Sequence, residues 1–186
     1  MLRGIDVSSH QTASYDTDGL SFVFVKATEG RRYTNPKLAD QTKRARDAGL
    51  VTGFYHFLWP GDLTAQAEHF VNEAPLKEGD LLAVDWETTG GGTRASAAEK
   101  DRFLRLVKEL RPGHRVVLYC NRDFWLNVDT TSEAGDGLWI ADYVAAAGEP
   151  RVEAAWRFHQ YTDDPLDQNV ADFADEAALR EWAEGA

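Results

Sequence analysis

The feature that most restricts the fold of this chain is a regular exchange of short apolar bursts with amphipathic stretches over its first two thirds. "GIDVS" (4–8) and "LSFVFVKATEG" (20–30) are rich in β-branched and aromatic residues and read as strands. "NPKLADQTKRARDAGL" (35–50) follows as a helix, with Asn35 as N-cap, Pro36 at the first helical position and Gly49 as the stop. "VTGFYHFLW" (51–59) is a further strand, and "LTAQAEHFVNEAP" (63–75) a helix that opens near Thr64 and closes before Pro75. "DLLAVDWET" (80–88) returns to strand. "SAAEKDRFLRLVKELRPG" (96–113) is the clearest helix, with Phe103, Leu104, Val107 and Leu110 in one stripe and Pro-Gly as its end. "RVVLYCN" (115–121) is the next strand.

Beyond it the rhythm changes. "RDFWLNV" (122–128) has room for a short helix only, and "GLWIADYV", "AAWRFHQYTD" and "LDQNVADF" read as three strands without full helices between them. "EAALREWAEG" (176–185) closes as a terminal helix. Strand–helix alternation calls for a parallel sheet. The expectation is an α/β fold: a shortened TIM-like (β/α) barrel of eight strands with about five helices, the last three strands lacking full helices. The missing helices account for 186 residues where such a barrel usually takes ~250. With no linker, repeat or low-complexity tract, residues 1–186 read as a single domain.

Composition removes several classes of function. The single cysteine, Cys120, excludes an intrachain disulfide and a cysteine zinc cluster, and its place after "VVLY" makes it a buried structural thiol. A net charge of −11 argues against nucleic acid, which needs a basic surface. No run approaches the ~18 apolar residues of a membrane span. "MLRGIDVSSH" has no apolar core of a signal peptide, so the expectation is a protein made in the cytoplasm and released by a separate export system, or secreted by an unrecognised route. Neither membrane nor nucleic acid is an expected partner, and a monomer is expected.

Chemistry gathers where strands end. In "LLAVDWETTGGG" the apolar run leads into Asp85, Trp86 and Glu87; alternation places both carboxylates on one face and Trp86 on the other. In parallel barrels the active site lies at the carboxyl ends of the strands. That end collects Asp6 from "GIDVS", Asp142 and Tyr143 after "LWIA", Gln160 and Tyr161 after "FH", and Asp167 in "LDQN". Tyr55, His56 and Trp59 close one strand, Tyr119 and Asn121 another, and Trp139 lies nearby. The mouth is thus acidic and aromatic. Neighbouring charge and burial raise the pKa of at least one carboxyl. A protonated carboxyl beside an ionised one suits acid-catalysed glycoside cleavage, and aromatic faces stack on sugars.

Spacing alone also allows two solvated carboxylates at a strand end. Asp6 could cap a loop, Asp167 could fix a closing turn, and Asp142 could pair with an arginine. Lys26, alone in an apolar strand, is expected to face the barrel interior and pair with an aspartate. The histidines are scattered, with neither an H-E-x-x-H motif nor a close pair, so no metal or cofactor is expected.

"GIDVSSHQ", "FVFVKATEG", "GLVTGFYHF", "LAVDWE", "VVLYCN", "LWIADY", "WRFHQYT" and "LDQN" occur in the order found in glycoside hydrolase family 25, and the chain resembles that family from Gly4 to about Phe173. The resemblance implies a lysozyme-like N-acetylmuramidase that cleaves the β-1,4 bond from N-acetylmuramic acid to N-acetylglucosamine in bacterial cell-wall peptidoglycan, with the shortened barrel, and it fits a phage endolysin-type catalytic domain. It puts the catalytic acid on Glu87, the second carboxylate on Asp85 and further active-site aspartates on Asp6 and Asp167. Tyr55, Trp59, Tyr119, Trp139, Asp142, Tyr143, Gln160 and Tyr161 are the expected substrate-binding residues. The chain departs from the family pattern at "SYDTD", where many members carry an "IDW"-like element, and in the short glycine-rich "DWETTGGGTRAS". A chitinase-like glycosidase and a non-catalytic wall-glycan-binding module are the alternatives; all four carboxylates being present weighs against the second.

Overall fold

The computed structural model describes residues 1–185. Nine strands are present: β1 (Leu2–Val7), β2 (Phe22–Glu29), β3 (Tyr33–Thr34), β4 (Val51–Phe57), β5 (Leu81–Asp85), β6 (Val116–Asn121), β7 (Gly137–Ala141), β8 (Phe158–Thr162) and β9 (Gln168–Ala171). The helices are α1 (Leu38–Asp47), α2 (Leu63–Glu73), α3 (Ala97–Leu110) and α4 (Glu176–Glu184), with a π-helix at Phe124–Val128. Pairing of β1 with β2 closes the sheet, whose order is β1-β9-β8-β7-β6-β5-β4-β2-β3. Eight strands form the barrel. The ninth, β3, is a two-residue antiparallel flap on the end of β2 that the sequence pattern did not suggest.

The barrel is parallel from β1 through β8, whereas β9 runs antiparallel to both β8 and β1. A parallel connection needs a crossover of a dozen or more residues, whereas only five residues separate β8 from β9, so the chain turns straight back.

Alternation along each strand divides two layers. Inward-facing Phe22, Phe24, Leu81, Ala83, Val117, Trp139 and Phe158 fill the barrel, and Val23, Val25, Phe54, Leu82, Val84, Leu118 and Ile140 face the helices. Crowding inside explains Gly53: a Cβ there would lie 2.2 Å from the Phe24 ring, which itself stacks on Trp139 with centroids 4.3 Å apart. At the floor, Leu179 and Ala183 of α4 join the interior cluster and Trp182 packs on Phe158 and Phe173. Arg115 fastens this plug by donating to the Trp182 and Gly185 carbonyls. The floor is sealed by α4, so only the opposite end can be a mouth.

Local expectations held in part. Gly49 ends α1 with φ +70° as expected, while the reciprocal capping box of Ser96 and Glu99 at α3 was not among the expectations. Asn35 is not the cap of α1: Lys37 occupies that position, Asn35 Oδ1 instead accepts the Lys37 N–H at 3.0 Å, and Pro36 stays outside the helix. Asn35 is drawn away because its amide also donates to the Lys26 carbonyl and Gln41, tying the loop to β2. Leu110 falls off the buried stripe of α3 and is 37% exposed. No helix among the described residues is long and apolar enough to cross a membrane.

Candidate active site

At the mouth lies a pocket of about 190 Å³ lined by Asp6, Tyr55, Asp85, Glu87, Tyr119, Trp139, Tyr143, Gln160 and Asp167. Each arrives by strand parity. Asp6 follows inward Gly4 on β1, Tyr55 follows Gly53 on β4, Asp85 follows Ala83 on β5, Tyr119 follows Val117 on β6 and Gln160 follows Phe158 on β8. Trp86 turns outward, fully buried, with its indole donating to the Ala95 carbonyl at 2.8 Å; this anchors the start of the next loop while Glu87 returns to the pocket. The glycine-rich loop beyond is a tight turn, with Thr89 N–H donating to the Thr93 carbonyl at 2.7 Å and Gly92 N–H to the Thr89 carbonyl at 2.9 Å.

Asp167 reaches the same mouth by the opposite rule. It precedes β9, and because β9 is reversed its beginning lies where the other strands end; the Asp6 N–H donates to the Asp167 carbonyl at 3.2 Å.

Polar groups hold the aspartates from the barrel side. Asp6 Oδ2 accepts from Gln160 Nε2 and from Asn169 Nδ2, both at 2.7 Å. Asn169 accepts in turn from the Trp139 indole at 2.7 Å, and Gln160 Oε1 accepts from the Tyr119 and Tyr143 hydroxyls at 2.7 and 2.6 Å. Asn169 was not among the sequence candidates. Its signal was present: it stands two residues after Asp167 on a strand and so shares its face. Asp85 is treated differently. Its Oδ1 is buried with no hydrogen-bond partner, and an unmatched buried acceptor of this kind costs about 1–3 kcal/mol.

The carboxyls are electrostatically strained as a group. Burial, then Asp167, push Asp6 well above the usual carboxylate range, against the pull of Asn169 and Gln160. Burial and then Glu87 push Asp85 well up, opposed by Lys26. Burial raises Glu87, opposed by the Tyr119 hydroxyl and assisted by Asp167. Burial, with Asp163, lifts Asp167 to about 6. Four carboxyls in one small volume therefore retain protons at pH values where free carboxylates have lost them.

Several expected residues do not line this pocket. Trp59, 37% exposed, stands at the rim, its indole donating to Glu29 at 3.0 Å. Tyr161 follows the outward parity of β8 and its hydroxyl donates to Gln168 at 2.9 Å. Asp142 is occupied by Arg151, which donates Nε at 2.9 Å and Nη2 at 2.6 Å; this holds its carboxyl down at about 2. Lys26 does take inward parity, but its partner is Glu29 at 2.6 Å rather than an aspartate. The strand bulges between Lys26 and Thr28, bringing Glu29 round to the same side.

His56 lies on the helix side of β4, between the Phe70 and Phe103 rings. Gln66 spends its amide nitrogen on the Trp59 and Gly61 carbonyls, so its oxygen accepts from His56 Nε2 at 3.0 Å, and Nδ1 accepts from Thr28 at 2.7 Å. Burial holds this imidazole neutral down to about 3. It organises the loop carrying Trp59 and is turned away from the carboxylates. Among the described residues no group of three or more His, Cys, Asp or Glu is placed to share a metal ion. A larger open depression of about 750 Å³ at the starts of α2 and α3 gathers Asp62, Glu68, Glu99 and Arg102, without the convergence seen at the mouth.

Residues 5–170 match the family described as Glycosyl hydrolases family 25. The chain is 31% identical over 190 residues to an autolytic lysozyme of Clostridium acetobutylicum, covering 99% of this chain and 56% of that protein. It is 28% identical to a lysozyme of Streptococcus phage Cp-7, covering 92% of this chain and 54% of the relative. The chain thus spans about half the length of these curated relatives. Among solved structures, a muramidase from Acremonium alcalophilum superposes over 100% of both chains with a TM-score of 0.82 at 27% identity.

Proposed function

The chain belongs to glycosyl hydrolases family 25, and from that premise we propose that it is a muramidase acting on bacterial cell-wall peptidoglycan at the β-1,4 bond from N-acetylmuramic acid to N-acetylglucosamine. The observation that carries the reading is the convergence of Asp6, Asp85, Glu87 and Asp167 in one aromatic-walled pocket at the open end of the barrel. The lysozyme and muramidase relatives support the choice of glycan. The chain acts as one catalytic domain and as a monomer, without metal or cofactor, at the cell wall.

Glu87 is the acid: its proton passes to the leaving glycosidic oxygen as the bond to the anomeric carbon breaks. The carbonyl oxygen of the substrate's own 2-acetamido group attacks that carbon, giving a bicyclic oxazolinium-type intermediate. Asp85 accepts the acetamide N–H, which supplies the partner its buried oxygen lacks and stabilises its ionised form. Substrate entry thereby favours the ionised form of Asp85 and leaves the proton on Glu87. Water then opens the intermediate as Glu87 recovers a proton, so one water is consumed and the anomeric configuration is retained.

Turbidity loss on purified walls, measured beside sugar release from chitin and repeated in EDTA, tests the reading. Clearing of walls with chitin intact and EDTA without effect is expected. Preferential release from chitin favours an N-acetylglucosaminidase, binding to walls without clearing favours a glycan-binding module, and loss in EDTA restored by a metal ion overturns the metal-free chemistry.

A further inference from the structure

The polar chain across the upper barrel has a direction, and that direction shows what holds Asp6. An indole N–H only donates, so the Asn169 atom 2.7 Å from Trp139 is the amide oxygen. The Asn169 nitrogen therefore turns to Asp6 Oδ2, 2.7 Å away. Gln160 Nε2 meets the same oxygen at 2.7 Å, within the range of an N–H donated to a carboxylate. Gln160 Oε1 then faces the Tyr119 and Tyr143 hydroxyls at 2.7 and 2.6 Å. Those lengths belong to O–H···O bonds, whereas an amide nitrogen in that place would prefer ~2.9–3.0 Å. Each phenol has one proton. Gln160 Oε1 thus draws both phenol hydroxyls together over the pocket, with the Tyr119 hydroxyl also in reach of Glu87.

We propose that Gln160 is a positioning residue that holds Asp6 by donation and anchors the Tyr119 and Tyr143 hydroxyls in place over the pocket. The nature of the sugar rests on the muramidase reading; the network does not. Gln160 is buried on β8 and is faced by Asp6 from β1, Tyr119 from β6, Tyr143 after β7 and Asp167 before β9, with Asp85 and Glu87 in the same pocket.

Two variants separate positioning from mere packing. Gln160→Leu removes donor and acceptor together. Gln160→Glu keeps an acceptor for the phenols at every pH but donates to Asp6 only while protonated. On walls, kcat/KM of Gln160→Glu is expected within about threefold of the parent at pH 5 and at least about tenfold below it at pH 7, with Gln160→Leu about tenfold down at both. A Gln160→Glu profile parallel to that of the parent would overturn the proposal.

The second readout needs no substrate. Carbon-13 NMR of the Asp6 carboxyl should show its midpoint raised by roughly one pH unit in Gln160→Leu, the scale of one lost charge-assisted hydrogen bond. An unchanged midpoint overturns the proposal. A parent protein that leaves walls intact while this midpoint moves refutes the muramidase reading alone; clearing of walls with a stationary midpoint refutes the positioning role alone. Should Gln160→Leu fail to fold, Gln160→Glu carries both measurements.

Discussion

Glu87 and Asp85 stand two residues apart at the end of one strand, and their proposed roles lead to opposite demands on the proton. Glu87→Gln preserves shape but has no proton to give, so turnover of wall glycan should fall by about 10²–10⁴. Asp85→Asn should lower turnover strongly without trapping sugar on the enzyme. Intact-mass detection of a glycosyl ester on Asp85 in the parent would replace assistance by the acetamide with a direct nucleophile, and inverted product by proton NMR would require an activated water instead. The same residue has a cost to stability. Asp85 is raised in the folded state, so the fold binds its proton more tightly than the unfolded chain does; the stabilisation is full below the unfolded value near 3.8 and fades as pH rises toward the folded value. Asp85→Asn should therefore raise thermal stability at pH 7 by about 1–3 kcal/mol and leave it unchanged near pH 3. Melting curves at the two pH values check this; equal melting points at pH 7 would show that Asp85 is not strained.

At the scale of elements, capping and salt bridging hold the loops that frame the pocket. Ser96 caps α3, and Glu99, its partner in the capping box, also accepts the Gly61 N–H at 2.9 Å, joining two loops of the rim. Ser96→Ala should cost about 1 kcal/mol in chemical denaturation. Asp142, held down at about 2 by Arg151, anchors the turn after β7 that carries Tyr143. Its contribution is present above the unfolded value near 3.8 and lost as pH falls through about 2, so the destabilisation caused by Asp142→Asn should shrink across that window. Much of this scale was legible in the sequence, because period 2 and period 3.6 patterns and the glycine stop of α1 are local signals. What was not legible depended on which partner the folded chain brings to a side chain. Trp59 is drawn to Glu29 at the end of the neighbouring strand and Asn35 is taken by β2 and Gln41, whereas the pairing of Asp142 with an arginine was a choice the sequence left open. Asp6, Asp85, Glu87, Asp167, Tyr55, Tyr119, Trp139, Tyr143 and Gln160 were readable because strand parity carried each to the same place.

The whole molecule is acidic and its proposed substrate is a polyanionic wall. With a net charge of −11, long-range repulsion should oppose approach, leaving affinity to contacts inside the groove. Salt screens such repulsion over ~8 Å at 0.15 M, so initial clearing rates should rise as salt is raised from low to physiological strength. A steady fall instead would point to attractive ion pairs with the wall. The most direct test of the central claim is mass spectrometry of the soluble fragments after borohydride reduction. A muramidase leaves N-acetylmuramic acid at every new reducing end, so reduction should yield muramitol in fragments from the parent protein and none above background from Glu87→Gln. Reduced glucosamine at those ends, or muramitol released equally by both proteins, would contradict it.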